Sequence, residues 1–455
     1  MERLFALTTL SLALVATGCR GTPTPSEAAA RDDLERAGAA RAAALAVDLP
    51  PLEARASFED FARHAVLQSP AVAERFALWS AEVERITIDR SLEDPTLTFE
   101  GEIDRVLEGL AVGIAGAIPW PGKLALAAEA RSALADARRF EFEAEVAATI
   151  ANVRAAYVEA AFNEVSISIA REVLGLVDEL VELTKTRLRV AQITQLDLLR
   201  IEIERDQLAN EIASLEDGRT VLAARLKNAL GLDPTREDPP LPTALPERGT
   251  ELPPGDLLAE LLVRNPRLSA LAAEIRTAES LVALARKSAY PDFMLGLTGR
   301  LTDPMGVSLS SPFSVSPEVG ITLPIFRDKI DATIAVALAE QRAAEARLEG
   351  ERLRFVVDLA NGLFLYRDSN RRIALFADRL VPKANDAMGV ARTGYGSGAI
   401  DLTALLDAER SLRAFQLGLA RARLDREVAC AQVEFEMLAR VPPDLRFTEA
   451  GWSEP

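Results

Sequence analysis

Residues that carry chemistry are scarce in this chain of 455 residues. It has one histidine, two cysteines, five methionines and only 5% aromatic residues. A His- or Cys-rich metal centre needs three or four such ligands, and a disulfide scaffold needs many more cysteines. The chain is also short of positive charge, with a net charge of −17. Phosphate backbones are held by basic faces, so a nucleic-acid partner is not expected. His64 is the sole possible base for a Ser-His-Asp or Cys-His site, and no Ser or Cys elbow flanks it. Carboxylates abound, which would permit an acid-pair hydrolase. They are scattered along helical segments, however, where a solvated face accounts for them. The expectation is a protein that is not an enzyme, with no cofactor and no resident metal. What is present is a 49% hydrophobic content made mostly of Ala, Leu and Val. That mixture favours long, close-packed helices over a bulky core.

Residues 1–18 have the pattern of an export signal. Arg3 precedes an apolar stretch, Leu4–Ala16, that is too short to span a bilayer as a helix. It ends in Ala16-Thr17-Gly18-Cys19, and small residues before a cysteine resemble the bacterial lipobox, with Cys19 as the lipidated residue. Arg20 follows where an inner-membrane retention aspartate would stand, which points to the outer membrane of a Gram-negative cell. Residues 19–57 read as a lipidated tether. Cys430 lies in a late helical segment and reads as a small buried apolar residue.

The remainder is duplicated. Ser69-Pro70-Ala71-Val72 corresponds to Asn265-Pro266-Arg267-Leu268, and Asp94-Pro95 to Tyr290-Pro291, both 196 residues apart. Pro119 corresponds to Pro324 at 205, and Leu198-Leu199 to Leu405-Leu406 at 207. The first repeat spans 58–232 and the second 255–441, joined by a Pro-rich linker at 233–254 and followed by a tail at 442–455. Each repeat begins with a helix carrying an early proline, Pro70 or Pro266, that marks a short lead-in.

A strand pair follows in each repeat, at about 95–118 and 291–323. Leu97 and Phe99 alternate with Thr96, Thr98 and Glu100, and Phe293, Leu295, Leu297 and Gly299 share one face. Such alternation signals hairpins, and its length matches that of a tilted membrane-spanning strand. A pair of small soluble hairpins has the same periodicity. Long helical segments come next, at about 123–230 and 328–440, proline-free from Lys123 to about Ala191 and from Asp328 to Val381. Ile201, Leu208, Leu215 and Leu222 step by seven, and adding 207 lands on Ala408, Phe415, Ala422 and Ala429. Turns between the long helices are expected near Ala191–Gln195 and Gly394–Ala399. In the second of these, Gly394, Gly396 and Gly398 are expected to break the helix.

Two repeats of helix, hairpin and long helical hairpin resemble the outer-membrane efflux (TolC-like) family. The segment Tyr395-Gly396-Ser397-Gly398 through Asp401 to Leu406-Asp407-Ala408-Glu409-Arg410 is similar to that family's helical-tip motif. The resemblance covers about Phe58–Leu438. Pro119-Trp120-Pro121-Gly122-Lys123 is similar to the heavy-metal efflux branch. It implies a mainly α fold with a small β part. A homotrimer would build a twelve-stranded transmembrane β-barrel, continued by a periplasmic α-helical barrel. The implied function is a passive exit duct in the outer membrane. It would be served by an inner-membrane pump of the resistance-nodulation-division (RND) type and a periplasmic adaptor protein, with outer-membrane lipid around the barrel. The resemblance also implies a gate at the tip. Matched on Leu406-Asp407-Ala408, the family's inner aspartate falls at Asp407 and its tip tyrosine at Tyr395. The aspartate one turn earlier falls at Ala404, a departure that Asp401 or the first repeat's Asp197 would make good. The alternative function is a periplasmic coiled-coil adaptor or scaffold lipoprotein, but adaptors carry one helical hairpin where this chain has two. Substrate is open at this level among metal cations, drugs and other small molecules.

Overall fold

The structure is a computed structural model. It describes residues 23–47, 49, 51–53, 56–103, 107–245, 252, 255–302 and 313–448. Residues 1–18, read as a signal peptide, and the lipidation candidate Cys19 lie outside the described residues, as do part of the linker and the end of the tail.

The first repeat contains α2 (Phe58–Gln68), α3 (Pro70–Arg90), β1 (Thr96–Ile103), β2 (Leu107–Ile118), α4 (Lys123–Arg189) and α5 (Gln195–Ala229). The second contains α6 (Leu257–Arg264), α7 (Pro266–Arg286), β3 (Phe293–Thr302), β4 (Phe313–Ile321), α8 (Arg327–Leu375), α9 (Val381–Ser397) and α10 (Leu402–Ala431). A π-helical turn, Phe376–Leu380, joins α8 to α9. The two repeats therefore have the same element order.

Their lead-in helices form for the same local reasons. Ser57 caps α2 in a reciprocal box with Asp60, and Asp256 caps α6 through Ala259 N–H at 3.1 Å. Pro70 and Pro266 then open the next helices, where a missing N–H costs nothing. Sole histidine His64 is buried in α2.

The segment read as a tether contains a helix, α1 (Pro25–Ala46). It is anchored by charge. Glu27 is fully buried and pairs with Arg31 at 3.1 Å and with Arg90 of α3 at 2.8 Å, and Asp33 accepts from Arg139 of α4 at 2.8 Å. Composition alone could not show these partners, which lie up to about a hundred residues away.

The chain forms two compact units. One holds the described residues up to Gly38 together with Phe76–Glu141 and Arg267–Glu351. Its buried helical positions include the alanines Ala128, Ala135, Ala137 and Ala273, along with Trp79, Val83 and Ile86. The other holds Ala39–Arg75, Phe142–Pro266 and the chain from Arg352. There the heptad-like Ile201 and Leu208 share a core with Leu405, Leu412, Val177, Leu180 and Tyr395. Cys430 is buried in α10, and burial pushes its thiol up to about 12. It behaves as the small apolar residue expected.

Four antiparallel strands make one sheet in the order β1-β2-β3-β4. The strand ends that connect to helices therefore lie along one edge of the sheet.

Candidate channel surfaces

The strand register sorts the side chains into two rows. Leu97 faces Ile114, Phe99 faces Val112, Ile114 faces Leu297, Val112 faces Gly299, and Leu110 faces Leu301. On the far side Leu295 faces Val319, Leu297 faces Pro317, and Gly299 faces Val315. Every position in this row is apolar or glycine across all four strands. Its side chains are unburied, with Phe99 at 70% and Val319 at 71% exposure. The opposite row holds Thr96, Thr98, Glu100, Glu102, Thr298, Arg300, Ser314, Ser316 and Glu318, with Ala111, Gly113 and Ala115 between them. Here Arg300 pairs with Glu100 at 3.6 Å and Glu102 at 3.5 Å, and Thr298 Oγ1 donates to Glu318 at 2.8 Å. In β2 the register puts Ala111, Gly113 and Ala115 on the polar side and Leu110, Val112 and Ile114 on the other.

An exposed apolar row this wide marks a surface that meets a membrane or another chain. A sheet with one apolar and one polar face suits a barrel wall with lipid outside and water within. β1 and β4 are edge strands with unpaired backbone groups, and lipid cannot satisfy those.

The helical tip is built in the other unit. α9 ends at Gly398, which takes φ 81°, and its N–H reaches Gly394 O and Tyr395 O. Gly394 and Gly396 lie inside the helix, so only one of the three glycines expected to make the turn does so. Gly394 serves close approach instead: a Cβ there would lie 2.5 Å from Ile400 Cδ1. Tyr395 is buried, with its hydroxyl 3.0 Å from Thr184 Oγ1. The Arg187 guanidinium stands over the Tyr395 ring at 4.9 Å and donates to Tyr395 O. Thr184 and Arg187 sit over 200 residues away, with no local signal to mark them, and sequence reasoning missed both.

The three aspartates occupy different situations. Asp197 closes a capping box on α5: its carboxylate accepts from Thr194 N–H at 3.0 Å and from Thr194 Oγ1 at 2.8 Å. Asp401 is the N-cap of α10 and accepts from Ala404 N–H at 2.9 Å. Both thus satisfy helix N-termini. Asp407 is exposed on α10, and its carboxylate makes no hydrogen bond or ion pair among the described residues. It is the one tip aspartate with no structural task.

A fourth carboxylate was not foreseen. Glu409 on α10 is 1% exposed, and neither of its oxygens accepts a hydrogen bond. The neighbouring arginines are engaged elsewhere, Arg410 with Glu204 and Arg413 with Glu211. Burial, aided by the charges of Glu204 and Glu211 and opposed by Arg413 and Arg410, pushes its carboxyl up to about 6. The only sequence signal was a Glu one turn from a buried leucine seam.

Comparison with known proteins agrees with this geometry. Residues 257–435 match the family described as outer membrane efflux protein. The cobalt-zinc-cadmium resistance protein CzcC of Cupriavidus metallidurans is 25% identical over 297 residues, covering 62% of this chain and 67% of that protein. The chain spans 61–67% of the length of the curated relatives it matches. Among solved structures, the outer-membrane channel OprN superposes with a TM-score of 0.74 at 20% identity, covering 86% of this chain and 93% of that one. CusC superposes with a TM-score of 0.72 at 18% identity, covering 85% and 96%.

Proposed function

We propose that this chain, a member of the outer membrane efflux protein family, works as the exit duct of a tripartite efflux system. Three copies would contribute twelve strands and close one barrel, which leaves no strand edge in lipid. The polar row of each sheet then lines the lumen, and the apolar row meets acyl chains. The observation that carries this reading is the unbroken apolar row across all four strands. An inner-membrane RND-type pump supplies the energy, and a periplasmic adaptor engages the helical tips. The duct is passive. Its lipid anchor is Cys19, and its site of action is the outer membrane of a Gram-negative cell with the helices in the periplasm.

Heavy-metal cations are the proposed cargo. Support comes from the similarity to a cobalt-zinc-cadmium resistance protein and from the Pro119–Lys123 sequence. Asp407 is the proposed gate acid, because a free carboxylate near a threefold axis would become a ring of three. Tyr395, held by Thr184 and Arg187, keeps the tip hairpins together.

The test is extraction and conductance. The full-length lipoprotein should leave membranes only with detergent, migrate as a heat-sensitive trimer and conduct ions in planar bilayers. A monomer released without detergent would contradict the duct and favour a periplasmic scaffold. Deletion of its gene should sensitise cells to divalent metals. Unchanged metal tolerance with raised drug sensitivity would overturn the proposed cargo.

A further inference from the structure

The chain contains only six lysines, and three of them, Lys123, Lys287 and Lys329, gather at the helix-bearing edge of the sheet. A cavity of about 320 Å³ opens there, lined among others by Lys123, Lys329, Ser288, Tyr290, Thr322 and Thr333. Lys287 Nζ stands 5.2 Å from the centre of the Tyr290 ring. One carboxylate lines the cavity: Asp292 takes Lys123 Nζ on both oxygens at 2.8 Å. The Lys329 ammonium makes no hydrogen bond or ion pair among the described residues. α8 presents Phe326, Lys329, Ile330 and Thr333 to the cavity, while its acids Asp328 and Asp331 are not in the lining. Thr322 and Thr333 donate their hydroxyls to Asp292 O and Lys329 O, whereas Ser288 Oγ has no partner among the described residues. In a chain of net charge −17, this is a local cationic site with one free hydroxyl.

Its surroundings are apolar. Trp120 stacks on Tyr290 at 5.2 Å and on Phe293 at 5.8 Å, which continues the apolar row of the sheet to its helical edge. Leu323 and Phe326 beside the cavity are 72% and 71% exposed. Aromatic rings with lysines at the end of an apolar band belong where acyl chains give way to headgroups.

We propose that this cavity binds the phosphodiester headgroup of a glycerophospholipid in the periplasmic leaflet. Lys329 and Lys287 supply the charge, Ser288, whose hydroxyl has no hydrogen-bond partner among the described residues, supplies a donor, and Lys123 is fixed in place by Asp292. The acyl chains lie along Trp120, Leu323 and Phe326. The proposal rests on the sheet crossing the outer membrane. It goes beyond that reading by assigning a lipid class and a residue set to one edge.

The experiment is native mass spectrometry of the intact lipidated protein after reconstitution with dioleoyl phosphatidylglycerol or with dioleoylglycerol, which has the same tails and no phosphate. The wild type should retain the phospholipid and release dioleoylglycerol. Each lysine near a phosphate is worth about fivefold, so Lys287→Gln with Lys329→Gln should weaken retention about thirtyfold. Bilayer conductance of that double variant should stay unchanged. Competition by inorganic phosphate without loss of lipid selectivity in the wild type would assign the site to free phosphate and overturn the lipid assignment. Equal retention of both lipids, or retention unaffected by the double variant, would overturn the site while conductance upholds the barrel. Failure to insert into liposomes would overturn the barrel reading and the site with it.

Discussion

The two tip turns occupy equivalent places, 207 residues apart, and meet the same backbone demand with different residues. Gly398 takes φ 81° in the second repeat, and its counterpart Ala191 takes φ 55° in the first. Asp401 caps α10, and its counterpart Thr194 caps α5. The first repeat then places a carboxylate at Asp197, three residues on, where the second has Ala404. Each helix start therefore keeps one carboxylate in its first turn, at the N-cap in one repeat and three residues later in the other. The carboxylate that shifts position between repeats in the sequence serves a helix N-terminus in each, as the N-cap of α10 and as the capping-box acid of α5.

The largest expected effect comes from removing the glycine that the second turn requires. Gly398→Val forces a β-branched residue into left-handed backbone and drives its Cβ to about 3.0 Å from Arg187 Nη2. A loss of about 3 kcal/mol is expected, read as a lower melting temperature of the detergent-solubilised trimer. A change smaller than that of Ala191→Val would show that the turns do not differ as described.

Glu409→Gln comes next and has the opposite sign. The carboxyl is raised from 4.5 to about 6 in the folded chain. Below pH 4.5 both folded and unfolded forms are protonated, and the group is neutral in effect. Between pH 4.5 and 6 the unfolded chain loses the proton first, so folding weakens as pH rises. Above pH 6 the full penalty, about 2 kcal/mol, is present. The glutamine variant should melt higher at pH 7.5, and the gap should close by pH 4. A pH-independent gap would sink this account of Glu409.

The capping comparison is sharper still. Asp401→Ala should destabilise the tip by about 1 kcal/mol, while Asp401→Asn should spare it, and Asp197→Ala should behave like Asp401→Ala. Asp407→Asn, by contrast, should leave melting unchanged and lower divalent-cation block of single channels. If Asp401→Asn abolished the block and Asp407→Asn did not, the gate acid would be reassigned. The smallest effect is Ala191→Gly. Relief of left-handed strain exceeds the added chain entropy by about 0.5 kcal/mol, seen as slightly higher melting.

Much of this was legible in the sequence for a physical reason: periodicity and proline position survive in one dimension. The repeat offset, the lead-in helices before Pro70 and Pro266 and the four strands all follow from spacing. The tip was legible only in part. Three glycines suggested a broken helix, yet helical backbone accommodates Gly394 and Gly396, and only Gly398 needs positive φ. Tyr395 was marked, but its partners Thr184 and Arg187 were not, because contacts across 200 residues leave no spacing signal. The faces of β2 were hidden for another reason: Gly, Ala and Ile all count as apolar, and only pairing with β1 and β3 tells them apart.

The most direct test of the membrane-spanning sheet is a cysteine scan of its two faces in liposomes, using a water-soluble maleimide. Phe99→Cys, Val112→Cys and Leu297→Cys should resist labelling, while Thr98→Cys, Thr298→Cys and Ser316→Cys should label through the lumen. Equal labelling of both rows, or the reverse pattern, would contradict a sheet with lipid on one face and water on the other.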